Sequence, residues 1–180
     1  IRLPARFFTP LFPDSPAIMT RPVSYLALSA EPTDGRIHSL KVKIYASEEL
    51  CLDKKSEYEV VTKAESFDGI DTVRIGSAAQ PVLAKSGDDL RINWGYFYLA
   101  AKDAKVGSYK CDETGMTFVT LEKAFESDAL IAFAYDDIYS IEYFGEKLKS
   151  VWNVSGKTIG TAITEAFADY DTLIAKANEF

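Results

Sequence analysis

Nearly every position from residue 92 to residue 101 carries an apolar or aromatic side chain, with Trp94, Tyr96 and Tyr98 on one parity and Phe97 and Leu99 on the other. A strand sends successive side chains to opposite faces, so a run that is apolar on both parities has to be covered on both sides. The chain must therefore build layers, with this segment as a central strand. The pattern repeats at residues 129–135, and residues 138–144 read as a further strand after Asp136-Asp137, which supply a turn or a bulge.

Elsewhere the alternation is that of half-buried strands. His38, Leu40, Val42, Ile44 and Ala46 share one face, while Ser39, Lys41, Lys43 and Tyr45 share the other. Tyr58, Val60 and Thr62 alternate with Glu57, Glu59 and Val61, and Val73 and Ile75 alternate with Thr72 and Arg74, with Asp68-Gly69 between the two runs. Residues 23–30 form a β-prone run, and Pro32-Thr33-Asp34-Gly35 then predicts a hairpin into the strand that follows. Before it, Phe7, Phe8, Pro10, Phe12, Pro13 and Pro16 predict a short strand and a lead-in loop.

At the end the period changes. Ile159, Ile163, Ala166, Phe167, Tyr170, Leu173, Ile174 and Ala177 recur every three or four residues, so 158–178 is an amphipathic helix approached through Ser155-Gly156. The expected fold class is all-β, an antiparallel β-sandwich with a C-terminal amphipathic helix. Residues 1–153 would form the sandwich and 154–180 a linker and a helix that either packs on it or begins a separate helical domain. The second arrangement is the one expected.

The length of 180 residues suits one domain with a sizeable core, and 10 Tyr, 11 Phe and 2 Trp need such a core or a binding surface. A net charge of −7 without a basic stripe argues against a nucleic-acid partner. No apolar run is long enough for a membrane span. Cys51 and Cys111 lack CxxC spacing, so no zinc site is expected; they are read as unbridged, although pairing stays open if they meet in space.

Candidate chemistry is sparse, and no cofactor or metal is expected. His38 stands alone and reads as structural. Gly156-Lys157-Thr158 resembles the end of a phosphate loop, but Val151 stands where the earlier glycine is required. Asp136, Asp137 and Glu142 could supply paired carboxylates, yet adjacent strand residues point to opposite faces, which favours turn chemistry. Trp94, Tyr96 and Tyr98 could form a stacking platform for a sugar or peptide, with inter-sheet core as the expected role. Asn153-Val154-Ser155 matches a glycosylation sequon.

Four blocks carry a family resemblance: Arg21-Pro22-Val23-Ser24-Tyr25-Leu26; Asp34-Gly35 followed by His38; Asn93-Trp94-Gly95-Tyr96-Phe97-Tyr98; and Ala134-Tyr135-Asp136-Asp137-Ile138-Tyr139-Ser140-Ile141-Glu142-Tyr143-Phe144-Gly145. In this order they are similar to the N-terminal region of glutaminase A-type proteins, and Trp152 with Lys157-Thr158-Ile159 resembles the connection into that family's catalytic part. The resemblance implies a non-catalytic β-sandwich preceding an α/α-toroid in a secreted or periplasmic L-glutamine amidohydrolase. The catalytic residues would lie downstream, so none is assigned here. Asp136, Asp137, Tyr139, Glu142, Tyr143 and Trp94 would face the neighbouring domain or a ligand. The implied partner is the downstream catalytic domain of the same chain; the alternative is an accessory sandwich that binds a glycan or small molecule.

Overall fold

The computed structural model describes residues 1–179, so Phe180, the last residue of the expected helical segment, lies outside them. The elements in chain order are β1 (Ala5–Phe8), α1 (Pro16–Met19), β2 (Val23–Ser29), β3 (Leu40–Ser47), β4 (Val60–Phe67), β5 (Ile70–Ser77), β6 (Tyr96–Lys102), β7 (Ala104–Lys110), β8 (Thr117–Phe125), β9 (Asp128–Asp136), β10 (Ile141–Tyr143), β11 (Glu146–Leu148) and α2 (Ile159–Ala177). A six-stranded sheet has the order β1-β2-β9-β6-β5-β4 and a three-stranded sheet the order β3-β8-β7. All pairings are antiparallel. The sandwich with its C-terminal helix is the expected class, and β6, from the run at 92–101, lies in the middle of the large sheet.

Between the two sheets lies one core, to which Leu28, Val73, Ile75, Leu99 and Ile131 come from the large sheet and Ala46, Val119 and Leu121 from the small one. Strand parity then fixes what lies on the opposite face. Tyr25, Tyr98, Ala100 and Ala132 point away from the small sheet and pack under Ile159, Ala162, Ile163 and Ala166 of α2. The protein is thus a stack of small sheet, large sheet and helix, and β6 is buried on both sides because a different element covers each face.

That arrangement corrects three expectations. Tyr96 and Tyr98 belong to the helix-covered face and Trp94 lies in the turn before β6, so none of the three is inter-sheet core. The helix packs on the sandwich, which is the other arrangement open to an amphipathic helix in that position. The hairpin expected around Pro32 to Gly35 is absent, because β2 pairs with β1 and β9 while β3 pairs with β8 in the other sheet. Turn residues fix where the chain reverses, but they do not fix its pairing partner. The chain changes sheets again at Asp103, a single residue with φ 49° between β6 and β7, and there the Ala104 N–H donates to Asp71 Oδ2 at 2.9 Å.

Several contacts fasten α2. Thr158 caps it by accepting the Thr161 N–H at 3.2 Å. The Tyr25 hydroxyl donates to the Ala166 carbonyl at 3.0 Å. Buried Arg21 pairs with Asp169 at 2.8 Å, and Lys176, in the last turn, pairs with Asp14 at 3.0 Å over the Phe12 ring. No helix among the described residues is long and apolar enough to cross a membrane. Cys51 is buried and Cys111 half-buried, and both are free.

Candidate functional site

The six residues singled out from the sequence converge on one region, the chain that leaves β9. Asp136 ends the strand, and the backbone then turns through Ile138 at φ 62°, so 138–144 is not the continuous strand expected; only β10 forms, paired solely with β11. The Asp136 carboxylate accepts the Ile138 N–H at 3.0 Å, and Asp137 Oδ2 accepts the Ser140 hydroxyl at 2.6 Å. These bonds make both residues turn-formers. Trp94 holds the turn from the side, its indole N–H donating to the Asp137 carbonyl at 2.8 Å and the Tyr139 carbonyl at 3.3 Å. Lys147 of β11 donates to the Val82 carbonyl at 2.8 Å and steadies the hairpin against a neighbouring loop.

Two surfaces diverge from this root. Asp136 and Tyr139 line a cleft of about 500 Å³ between the large sheet and the start of α2, together with Arg74, Tyr98, Lys149 and Asn153. Glu142 and Tyr143 lie on the exposed hairpin, where Glu142 faces Lys147 and Tyr143 faces Glu146. The candidates are therefore neighbours without forming a single site, and the carboxylates do not flank a common point.

Inside the cleft, Arg74 lies 4.2 Å from the centre of the Tyr96 ring and 3.4 Å from the Tyr98 hydroxyl. Burial pushes that hydroxyl up to about 12, so it remains a donor. Ile159 and Gly160 form one wall at the helix N-terminus, where the first N–H groups have no intrahelical acceptor. Asn153 is 5% exposed and its Oδ1 has no hydrogen-bond partner among the described residues; so buried a carboxamide is not offered for glycosylation. The described lining residues include no Ser, Cys or His, hence no nucleophile paired with an imidazole base. No cluster of at least three His, Cys, Asp or Glu side chains suited to a metal occurs among the described residues. His38 lies in the loop before β3 rather than on its apolar face, and its ring pairs with Asp34 at 2.9 Å.

A family model described as a domain of unknown function, DUF5127, matches residues 1–128. The chain belongs to that family. No curated protein matches it. The matched span stops at the first residue of β9, yet β9 lies between β2 and β6, so this DUF5127 sandwich needs residues beyond the span to complete its large sheet.

The sequence does not mark Arg74, Lys149 or Asn153 as residues of a cleft. Arg74 alternates with Val73 and Ile75 and so reads as solvent-facing, whereas α2 shelters that face.

Asp136 makes the DUF5127 domain's stability depend on pH. Burial raises its carboxyl above the ordinary range, against smaller lowering effects of the Ile138 N–H, Lys149 and Arg74. The folded state then holds this proton more tightly than the unfolded state. The carboxyl's stability contribution falls as pH rises from the unfolded value of about 3.9 through the raised native value. Asp136→Asn keeps an acceptor for Ile138 and removes the charge. The variant is expected to exceed the parent in stability at about pH 7 and to lose that margin towards about pH 3.5, read by urea unfolding at both values. A deficit at about pH 7 that vanishes towards about pH 3.5 would show instead that the turn needs the ionised carboxylate.

Proposed function

We propose that this domain is a non-catalytic accessory module that docks through the 141–148 hairpin onto the catalytic domain of a secreted or periplasmic amidohydrolase of the glutaminase A type. The observation that carries the reading is the hairpin tip. Phe144 and Gly145 form a two-residue turn with φ 47° and 83°, both left-handed, and the Phe144 side chain is 91% exposed. The hairpin between β4 and β5 uses Asp68 and Gly69 at φ 49° and 78°, the residue types such turns favour. A bulky ring in that conformation, left in water, costs the isolated domain in backbone strain and in solvation. Tyr143 packs edge-on against it at 4.5 Å, which gives the tip a preformed aromatic pair. Aromatic anchors of this kind dominate interfaces once a partner pocket desolvates them.

The block from Ala134 to Gly145 that carries the family resemblance holds the first strand and the tip of this hairpin, which is why the neighbouring catalytic domain is the partner proposed. The test is calorimetric titration of the domain with the separately expressed catalytic domain, alongside glutamine hydrolysis with and without it. Association with increased or stabilised turnover supports the reading. Phe144→Asn separates docking from folding. Asparagine tolerates the left-handed turn, so the melting temperature should hold or rise, while association weakens by about tenfold or more. Unchanged association of that variant would remove the hairpin from the interface.

A further inference from the structure

On the opposite outer layer from α2, the solvent-facing side of the small sheet carries a groove of about 460 Å³. We propose that it binds one or two sugar units of an acidic polysaccharide. Strand pairing builds it row by row. Tyr45, Thr120 and Gly107 lie abreast, because Tyr45 and Gly107 both pair with Thr120. The two small residues make a floor beside the Tyr45 wall. One row along, Tyr109 pairs with Phe118 and their rings stack at 5.4 Å with an interplanar angle of 12°. Tyr45 meets Tyr109 edge-on at 6.4 Å. One row in the other direction, Lys43 and Lys105 both pair with Glu122.

Each row contributes something a charged sugar needs. Tyr45 and Tyr109 are 55% and 45% exposed, and their mutual contact holds the rings in place before any ligand arrives. The C–H face of a pyranose packs on such a ring while its hydroxyls stay in reach of polar side chains. A glycine inside a strand weakens it and marks a place where another group approaches the backbone closely. At Gly107 a Cβ would meet only Thr120 Oγ1, at 3.6 Å, so the space above is open rather than filled by the protein.

The charged row selects acidity. Glu122 is held down to about 2 by hydrogen bonds from Lys41 and Lys43, with Nζ to carboxylate distances of 2.8 and 3.0 Å. One carboxylate therefore answers two lysines, and Lys105 has no ion-pair partner among the described residues. A cationic end on a chain of net charge −7 is a local reversal, and it attracts a uronate carboxylate. The residues involved are disjoint from the docking hairpin, so this inference stands or falls independently of the proposed accessory role.

The experiment is calorimetric titration of the whole chain with tetragalacturonate, with xylotetraose as the neutral comparator. Tetragalacturonate should bind with a Kd on the order of 100 µM and xylotetraose at least about tenfold more weakly. Gly107→Val fills the floor with a strand-favouring residue whose Cβ makes an ordinary contact. It should keep or raise the melting temperature while lowering tetragalacturonate affinity by about tenfold or more. Lys105→Gln should weaken tetragalacturonate by roughly threefold to tenfold and leave xylotetraose unchanged. Absence of binding at millimolar ligand, equal affinity for the two sugars, or undiminished binding by Gly107→Val would each overturn the proposal.

Discussion

Gly95→Ala is expected to cost the fold about 3 kcal/mol, read as a melting temperature lower by roughly 6–12 °C for a chain of this length. Gly95 sits at φ +88°, and a Cβ there would lie 2.4 Å from the Asp136 carbonyl oxygen and 2.8 Å from the Tyr135 ring. Neither obstacle is a free-swinging side-chain end. The Asp136 carbonyl belongs to the central strand, and the Tyr135 hydroxyl donates to the Trp94 carbonyl at 2.5 Å. Gln80 closes the other side, its carboxamide accepting the Gly95 N–H at 2.6 Å and donating to the Gly95 carbonyl at 3.1 Å. Any shift at residue 95 therefore propagates to Trp94, whose indole holds the root of the hairpin, so the proposed docking should weaken along with stability. Gly35→Ala is the comparison. It also has a positive φ, +71°, but nothing lies within 4 Å of its Cβ position, and its expected cost is about 1 kcal/mol. Equal losses at the two positions would mean that backbone conformation, and not the close approach of β9, sets the requirement at Gly95.

The layered fold is legible where a segment's pattern depends only on how many of its faces are covered. Residues 92–101 declare a strand covered on both sides, and the structure covers it on both sides. They do not declare by what, because an apolar face reads the same under a sheet as under a helix. That ambiguity is why Tyr96 and Tyr98 read as inter-sheet core although they lie in the layer beneath α2. Long-range pairing is hidden for a related reason. Pro32 to Gly35 marks a reversal, but the partner of β3 is β8, whose residues lie far along the chain. β7 and β8 are not among the strands expected. Thr120 and Glu122 alternate with Val119 and Leu121 as plainly as in β3, so β8 was readable; Gly107 and the lysines at either side of β7 obscure the second.

The turn at the root of the hairpin was legible because turn chemistry is local, whereas the hairpin itself was not, since 138–144 reads as one continuous strand. Asp136 and Asp137 accept hydrogen bonds from residues two and three positions on, a geometry that short polar side chains bring about by themselves. The cleft was not legible, since Arg74, Lys149 and Asn153 come from distant parts of the chain and meet only after α2 has docked. Asn153 shows the difference most clearly. Its three-residue context reads as a surface sequon, while the fold buries it beside Trp152 at the approach to the helix.

Ile163→Ala carries the other large expectation, a loss of about 2–5 kcal/mol. Ile163 is fully buried in the second core, between α2 and the large sheet. Truncating it leaves a cavity where Tyr25 is already fixed by its bond to the Ala166 carbonyl and cannot readily follow. Thr172→Ala, on the exposed side of α2, should stay within about 0.5 kcal/mol of the parent. The sharper consequence concerns cooperativity. If the helix and the sandwich share a core, helix loss and sheet loss coincide, and Ile163→Ala shifts both transitions together. The far-UV helix signal and the near-UV Tyr and Trp signal, melted in parallel, should superimpose in the parent and in the variant. An earlier melting of the helix alone, with the sandwich signal unmoved by Ile163→Ala, would make 154–180 a separable unit. The exposed outer face of the large sheet would then have to be stable in water without it, against the burial of Tyr98, Ala100 and Ala132 beneath α2.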